Sequence, residues 1–223
     1  MGKKIHPTIF RLLTNKEWGS RWFARKERMP ELLKEDVKLK AFLLTRLKDA
    51  FVGSLEFDRT PKAITIKIYS ARPGVVIGRG GTGVEDLKRE VKNKFFKESK
   101  SEVNIDIKEV ANPSVNARLL ALDIVAAIEK RVPFRKAAKQ VMAKAEKAGA
   151  KGMKIRLSGR LNGVEIARTE KFTFGSLPLS TIRADIDYAY EIARTMYGTI
   201  GIKVWVYTGE VFKESKVKEK LEK

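Results

Sequence analysis

The stretch Ala71-Arg72-Pro73-Gly74-Val75-Val76-Ile77-Gly78-Arg79-Gly80-Gly81 decides how this chain is read. It places a GxxG loop, Gly78-Arg79-Gly80-Gly81, between a short apolar segment and a longer helical pattern. Glycine carries no Cβ to keep a polyanion's backbone away, and the free N–H groups opening the next helix point at its phosphates. On that reading Arg79 contacts phosphate, while Val75, Val76 and Ile77 form a floor under the bases. The same letters spell Gly78-x-Gly80-x-x-Gly83, a dinucleotide fingerprint. Pro73-Gly74, however, leaves three residues where a Rossmann unit needs a full strand, and no further βα units follow in residues 115–148. A plain helix–helix turn is the third reading. No GxxxxGK[ST] sequence is present, which excludes a P-loop motor.

The flanks choose among these. Upstream, Asp36 is placed to cap a helix reaching about Ala50, with Val37, Ala41, Leu44 and Leu47 on one face. Leu55 and Phe57 alternate with polar residues, Thr60-Pro61-Lys62 turns the chain, and Ile64, Ile66 and Ile68 alternate again, as in strands with one buried face. Downstream, Val84, Leu87, Val91 and Phe95 keep helical spacing, and Val103 to Ile107 reads as a strand. Helix, strand, strand, short helix, glycine loop, helix, strand is the order of an RNA-binding KH fold, which makes RNA contact the favoured reading of the loop.

Asn112-Pro113 marks the boundary to a second half. Helices are expected over residues 115–131 and from Pro133 to Ala148, then a strand around Ile155 and Leu157. Asn162-Gly163 predicts a hairpin into Val164 to Phe172, followed by a helix over 181–196 and a strand over 200–207. The resulting division is a basic arm (1–35), a KH domain (36–110), a C-terminal domain (111–209) and a Lys/Glu tail (210–223). In the arm, Trp18 and Trp22 read as anchors rather than base-stackers. Asp185 and Asp187 would point apart on the expected helix, which suits structural roles. Trp205 and Tyr207, opposite Ile202, Val204 and Val206, are placed either to stack on bases or to pack beneath a helix.

The chain has 223 residues, 47 Lys and Arg against 27 Asp and Glu, and a net charge of +20. With 43% hydrophobic residues it is a folding sequence, and the surplus favours a polyanionic partner, nucleic acid ahead of an anionic membrane. It contains no cysteine and a single histidine, His6, which argues against thiol chemistry, a Ser-His-Asp triad, and any Cys- or His-based metal site. The longest uncharged run, Phe172 to Ile182, is broken by Gly175 and Pro178. A cytoplasmic protein with no cofactor, metal, membrane or small-molecule substrate is the expectation.

Between Lys130 and Lys151 stand eight basic residues and one acid, Glu146. On a helical wheel Phe134, Ala138, Val141 and Ala145 share one face, and Arg135, Lys136, Lys139 and Lys147 the other. An ordinary surface helix interleaves acids at i,i+4. Cations packed this closely repel one another, a cost that an anionic partner offsets.

Gly2-Lys3-Lys4-Ile5-His6-Pro7, Trp22-Phe23-Ala24, the Ala71 to Gly78 stretch, Ser158-Gly159-Arg160-Leu161, Glu165 to Glu170, Arg183 to Tyr188 and Tyr197 to Trp205 share one further property. In that order they resemble, end to end, the bacterial-type ribosomal protein S-three family of the small subunit. The resemblance implies an α+β chain: an N-terminal type II KH domain (αββααβ), then a C-terminal α/β domain with a mainly antiparallel sheet packed by helices. It further implies a non-enzymatic place in the subunit head, with rRNA, mRNA and neighbouring head proteins as partners. The family's basic cluster, which helps open mRNA secondary structure where mRNA enters the ribosome, falls on Arg135, Lys136 and Lys139. Lys136 replaces a usual arginine and loses its bidentate fork. The loop Gly78, Arg79, Gly80 and Gly81 is an RNA-binding candidate with one basic residue where the family often has two. Lys3, Lys4, His6, Arg11, Arg131, Arg160, Arg168 and Arg183 are candidate rRNA contacts. Phe172-Thr173-Phe174-Gly175-Ser176 stands where the family tends to carry arginines, so contacts there are not carried over. The alternative reading is a free-standing KH-type RNA chaperone or regulator. A nicotinamide-dependent oxidoreductase is the third class, and it requires saturable NAD binding.

Overall fold

The computed structural model describes residues 4–60, 63–96 and 102–212. Candidate Lys3, the Pro61-Lys62 turn and residues 213–223 of the tail lie outside them. The chain divides into two compact units, residues 18–111 and residues 1–17 with 112–223. The expected arm is thereby shared. Helix α1 (Pro7–Phe10) joins the C-terminal unit, and β1 (Ser20–Arg21) joins the first.

The first unit continues with α2 (Met29–Arg46), β2 (Val52–Arg59), β3 (Ala63–Ser70), α3 (Pro73–Ile77), α4 (Thr82–Phe95) and β4 (Glu102–Glu109). After β1 this is the αββααβ order. The sheet runs β1-β2-β3-β4, antiparallel between β2 and β3 and parallel at the other two seams. Alternation in Ala-Ile-Thr-Ile-Lys-Ile-Tyr-Ser sends Ile64, Ile66, Ile68 and Ser70 to the core, each isoleucine contributing about 2 kcal/mol of burial. A register shift between Val52 and Ser54 lets Val52, Leu55 and Phe57 share that buried side despite their odd spacing.

Helix α2 begins seven residues before the expected cap, with Pro30 in its first turn. Asp36 is not a cap but a buried interior carboxylate. It accepts from Trp22 Nε1 at 2.9 Å and from Arg59 Nε at 2.8 Å, and Arg59 also pairs with Glu35 at 2.9 Å. The core face is therefore Leu39, Leu43 and Leu47, while Val37 is exposed. A buried acid looked like a cap because its arginine partner, Arg59, lies at the far end of β2.

The second unit contains α5 (Ala117–Glu129), α6 (Phe134–Lys147), β5 (Gly152–Gly159), β6 (Arg168–Gly175), β7 (Ala184–Thr195) and β8 (Gly198–Glu210). Its sheet, ordered β6-β5-β8-β7, is antiparallel throughout. Asn116 caps α5, accepting from the N–H groups of Arg118 and Leu119 at 3.0 and 3.2 Å. Leu120 and Ile124 of α5 and Phe134, Ala138 and Val141 of α6 meet Met153, Ile155, Leu157, Ile202 and Val204 in one core. Asn162 and Gly163 do adopt positive φ, but within a short 3-10 turn, and β6 starts only at Arg168.

Residues 184–195 are a strand where a helix was expected. Asp187, Ala189, Glu191 and Ala193 pair with Val206, Val204, Ile202 and Ile200, while Ile186, Tyr188, Tyr190 and Ile192 alternate with them. The side facing α5 thus carries alanines and acids, and the β-favouring residues point the other way. That inversion of the usual pattern is what mimics a helix. Asp187 accepts from the Ala117 N–H at 2.8 Å and Glu191 pairs with Arg118 at 3.1 Å, so both acids dock the first turn of α5. Asp185 pairs instead with Lys16 at 2.9 Å.

Candidate nucleic-acid interfaces

The glycine loop joins α3 to α4 with Gly78, Gly80 and Gly81 at φ of 72°, 63° and 83°. These are left-handed conformations, and a Cβ at Gly80 or Gly81 would meet nothing within 4 Å. Backbone conformation rather than crowding calls for glycine there, and the space above the loop stays open. Val75 and Ile77 are exposed beside it, while Val76 turns into the core, so two residues rather than three remain for a floor. Because residues 73–77 are helical, no strand feeds the first glycine and the dinucleotide reading fails.

In the C-terminal unit α6 buries Phe134, Ala137, Ala138, Val141 and Ala145 and exposes Arg135, Lys136, Lys139 and Lys147. The ridge has intramolecular partners that spacing within the helix could not show. Arg135 lies in a two-pronged pair with Glu170 of β6, at 3.1 and 3.2 Å, and Arg168 approaches the same carboxylate at 3.5 Å. Glu170 is held below the usual carboxylate range by the Arg135 hydrogen bond. Lys144 pairs with Asp123 of α5 at 2.7 Å. Among the described residues Lys136 and Lys139 have no carboxylate partner. The ridge therefore offers two free ammonium groups beside an arginine already oriented for planar oxyanions.

The other candidates separate. Arg11 is corrected from surface cation to internal staple: its side chain is wholly buried. It donates to the carbonyls of Ala184 at 2.8 Å, Pro7 at 3.1 Å, Leu179 at 3.0 Å and Thr181 at 2.9 Å. Spacing could not reveal this, since all but Pro7 lie more than 160 residues away. His6 sits edge-on to Tyr188 at 4.7 Å, and burial together with Lys203 lowers its pKa below 6.5, so at neutral pH it brings no charge to an anion. Lys4, Arg131, Arg168 and Arg183 are exposed, the last paired with Glu210 at 2.6 Å. Arg160 is half-buried, donating to the Val164 and Tyr197 carbonyls at 2.9 and 3.1 Å. Tyr207 and Trp205 pack with Leu177 and Leu179, which stand in the loop between β6 and β7, so they are covered by a loop and not by the expected helix. Trp22 is tied to Asp36, whereas Trp18 is exposed. Glu170 and Arg194 were not singled out by the sequence. Glu170 sits in a strand register that only pairing reveals, and Arg194 fell in the misassigned helix.

An αββααβ module with a positive-φ glycine loop, followed by a helix-covered antiparallel sheet bearing a cationic ridge, defines an RNA-binding protein of the KH class. Comparison agrees on both halves: the KH domain family matches residues 38–115, and the family "Ribosomal protein S3, C-terminal domain" matches residues 124–206. A Chromobacterium violaceum protein named small ribosomal subunit protein uS3 is 50% identical over 211 residues, covering 95% of this chain and 89% of its own length. Its namesake in Clostridium perfringens is 46% identical over 222 residues, covering 100% and 99%. That of Enterococcus faecalis is 44% identical over 220 residues, covering 99% of each. The chain belongs to the small ribosomal subunit protein uS3 family, which is a family of ribosomal proteins and not of enzymes.

Proposed function

We propose that this protein is a structural, rRNA-binding component of the small ribosomal subunit in the cytoplasm, seated in the subunit head, and that its α6 ridge handles mRNA where it enters. The observation that carries the mRNA part is the ridge itself: Arg135, Lys136 and Lys139 exposed on one face of a helix whose other face is locked into the core. Fixed cations on a rigid element gain from counterion release when phosphates replace the ion atmosphere. Bound strands are then held apart while translocation supplies the work of opening a hairpin. Arg79 with Gly78, Gly80 and Gly81, and the exposed Lys4, Arg131, Arg168 and Arg183, are the proposed rRNA contacts, with neighbouring head proteins as further partners.

Alanine at Arg135, Lys136 and Lys139 together is expected to leave subunit assembly nearly intact and to slow translation of hairpin-containing messages. Elongation rates on structured and unstructured messages, measured in a reconstituted system, test it. Equal slowing of both refutes the unwinding role. Retention on small subunits through moderate-salt washes separates a ribosomal component from a loosely bound RNA chaperone.

A further inference from the structure

Beside the ridge, at its N-terminal end, lies a cleft of about 470 Å³ between the α5–α6 turn, the 161–163 turn and the β7–β8 hairpin. Its inner wall is apolar, with Phe134 and Ile200 buried, while Arg131, Arg160 and Arg194 stand around it. Glu129 is the one acid in the lining, and its carboxylate accepts from the Arg194 backbone N–H at 3.3 Å.

Two features set this cleft apart. The first is Arg131. The N–H groups of Arg131 and Val132 bond back to the Ile128 and Ala127 carbonyls at 2.9 and 3.0 Å, which makes Arg131 the left-handed residue of a Schellman cap, at φ 62°. Glycine is the unstrained choice at that position, so the chain accepts backbone strain to hold a guanidinium at the cleft. The second is Tyr197. A Cβ on Gly163, itself at φ 79°, would come within 3.0 Å of the tyrosine ring, so one side of that ring rests on bare backbone while the residue stays 55% exposed. Arg160, bonded to the Tyr197 carbonyl at 3.1 Å and to Val164 at 2.9 Å, fixes that loop. A backed aromatic ring next to guanidinium groups is a stacking platform for a base whose phosphates meet cations.

We propose that this cleft receives one nucleotide of single-stranded RNA, its base on Tyr197 and its phosphates on Arg131 and Arg194. The proposal rests on the RNA-binding reading above and adds a base-dependent site to a ridge that senses only charge.

The test uses the full chain, two fluorescent single-stranded RNA oligomers of equal length, one ordinary and one abasic, and binding anisotropy across a salt series. Tyr197→Ala is expected to weaken binding of the ordinary RNA about tenfold, to leave abasic RNA unchanged and to keep the salt slope. Tyr197→Phe, which preserves the ring, should bind like the parent. Arg131→Gln should weaken both RNAs and flatten the slope. If Tyr197→Ala, shown by circular dichroism to be folded, binds both RNAs like the parent, the nucleotide site is refuted and a protein segment becomes the better occupant. If the parent chain binds neither RNA, the RNA-binding reading itself has failed.

Discussion

Arg11 and Asp187 show what single charged residues do here. Arg11 donates its hydrogen bonds to backbone carbonyls of Pro7 and of the segment from Leu179 to Ala184, and not to an acid. Removing the guanidinium would leave those carbonyls buried and bare, so Arg11→Met is expected to lower stability by about 3 kcal/mol, read as a fall in urea midpoint at unchanged slope. A change below about 1 kcal/mol would show that water replaces the side chain without loss. Asp187 poses the opposite problem. Burial raises its pKa above the ordinary 3.8, outweighing Lys16 and the N–H groups of Ala117 and Tyr188. The folded state therefore keeps this proton to higher pH than the unfolded chain does. Stability from this group is present at low pH and is lost as pH rises from about 4 through the folded pKa. Asp187→Asn should remove that part of the decline, which denaturant midpoints on both proteins across the acid range will show.

Among the elements, α6 carries the function and β7 carries the lesson. The apolar face of α6 was legible because a helical period needs only local spacing, and the buried set matched the wheel with Ala137 added. What the wheel could not contain was Glu170, brought alongside Arg135 by the pairing of β6 with β5. Each cation that meets a phosphate on a single strand adds about 0.7 to the salt slope, so the triple alanine variant should flatten log affinity against log salt by about 2. A smaller loss, near what two cations supply, would mean that Arg135 stays with Glu170 when RNA is bound. The β7 strand was misread for a reason of packing. Alanines at positions 189 and 193 bring α5 close to the sheet and acids at 187 and 191 dock its start, and those residues suit a helix when taken without their partners. The glycine loop was read correctly as a loop, since positive φ is a property of the residue itself.

For the whole molecule, the sequence by itself determined that two modules follow one another, that the first has the αββααβ order with a glycine turn at its centre, and that a surplus of cations needs a polyanion. Each of these depends on periodicity, glycine and charge, which act over a few residues or over the chain as a sum. Tertiary structure alone decided which cations are free. It buried Arg11 under carbonyls from the far end of the chain, tied Arg135 to Glu170, set Arg131 against Tyr197 and Arg194 across a cleft, and drew residues 4–17 away from the module they precede. Those outcomes depend on desolvation and pairing between distant segments. A burial pattern is written every second or every fourth residue, whereas the partner of a charge can come from anywhere in the chain.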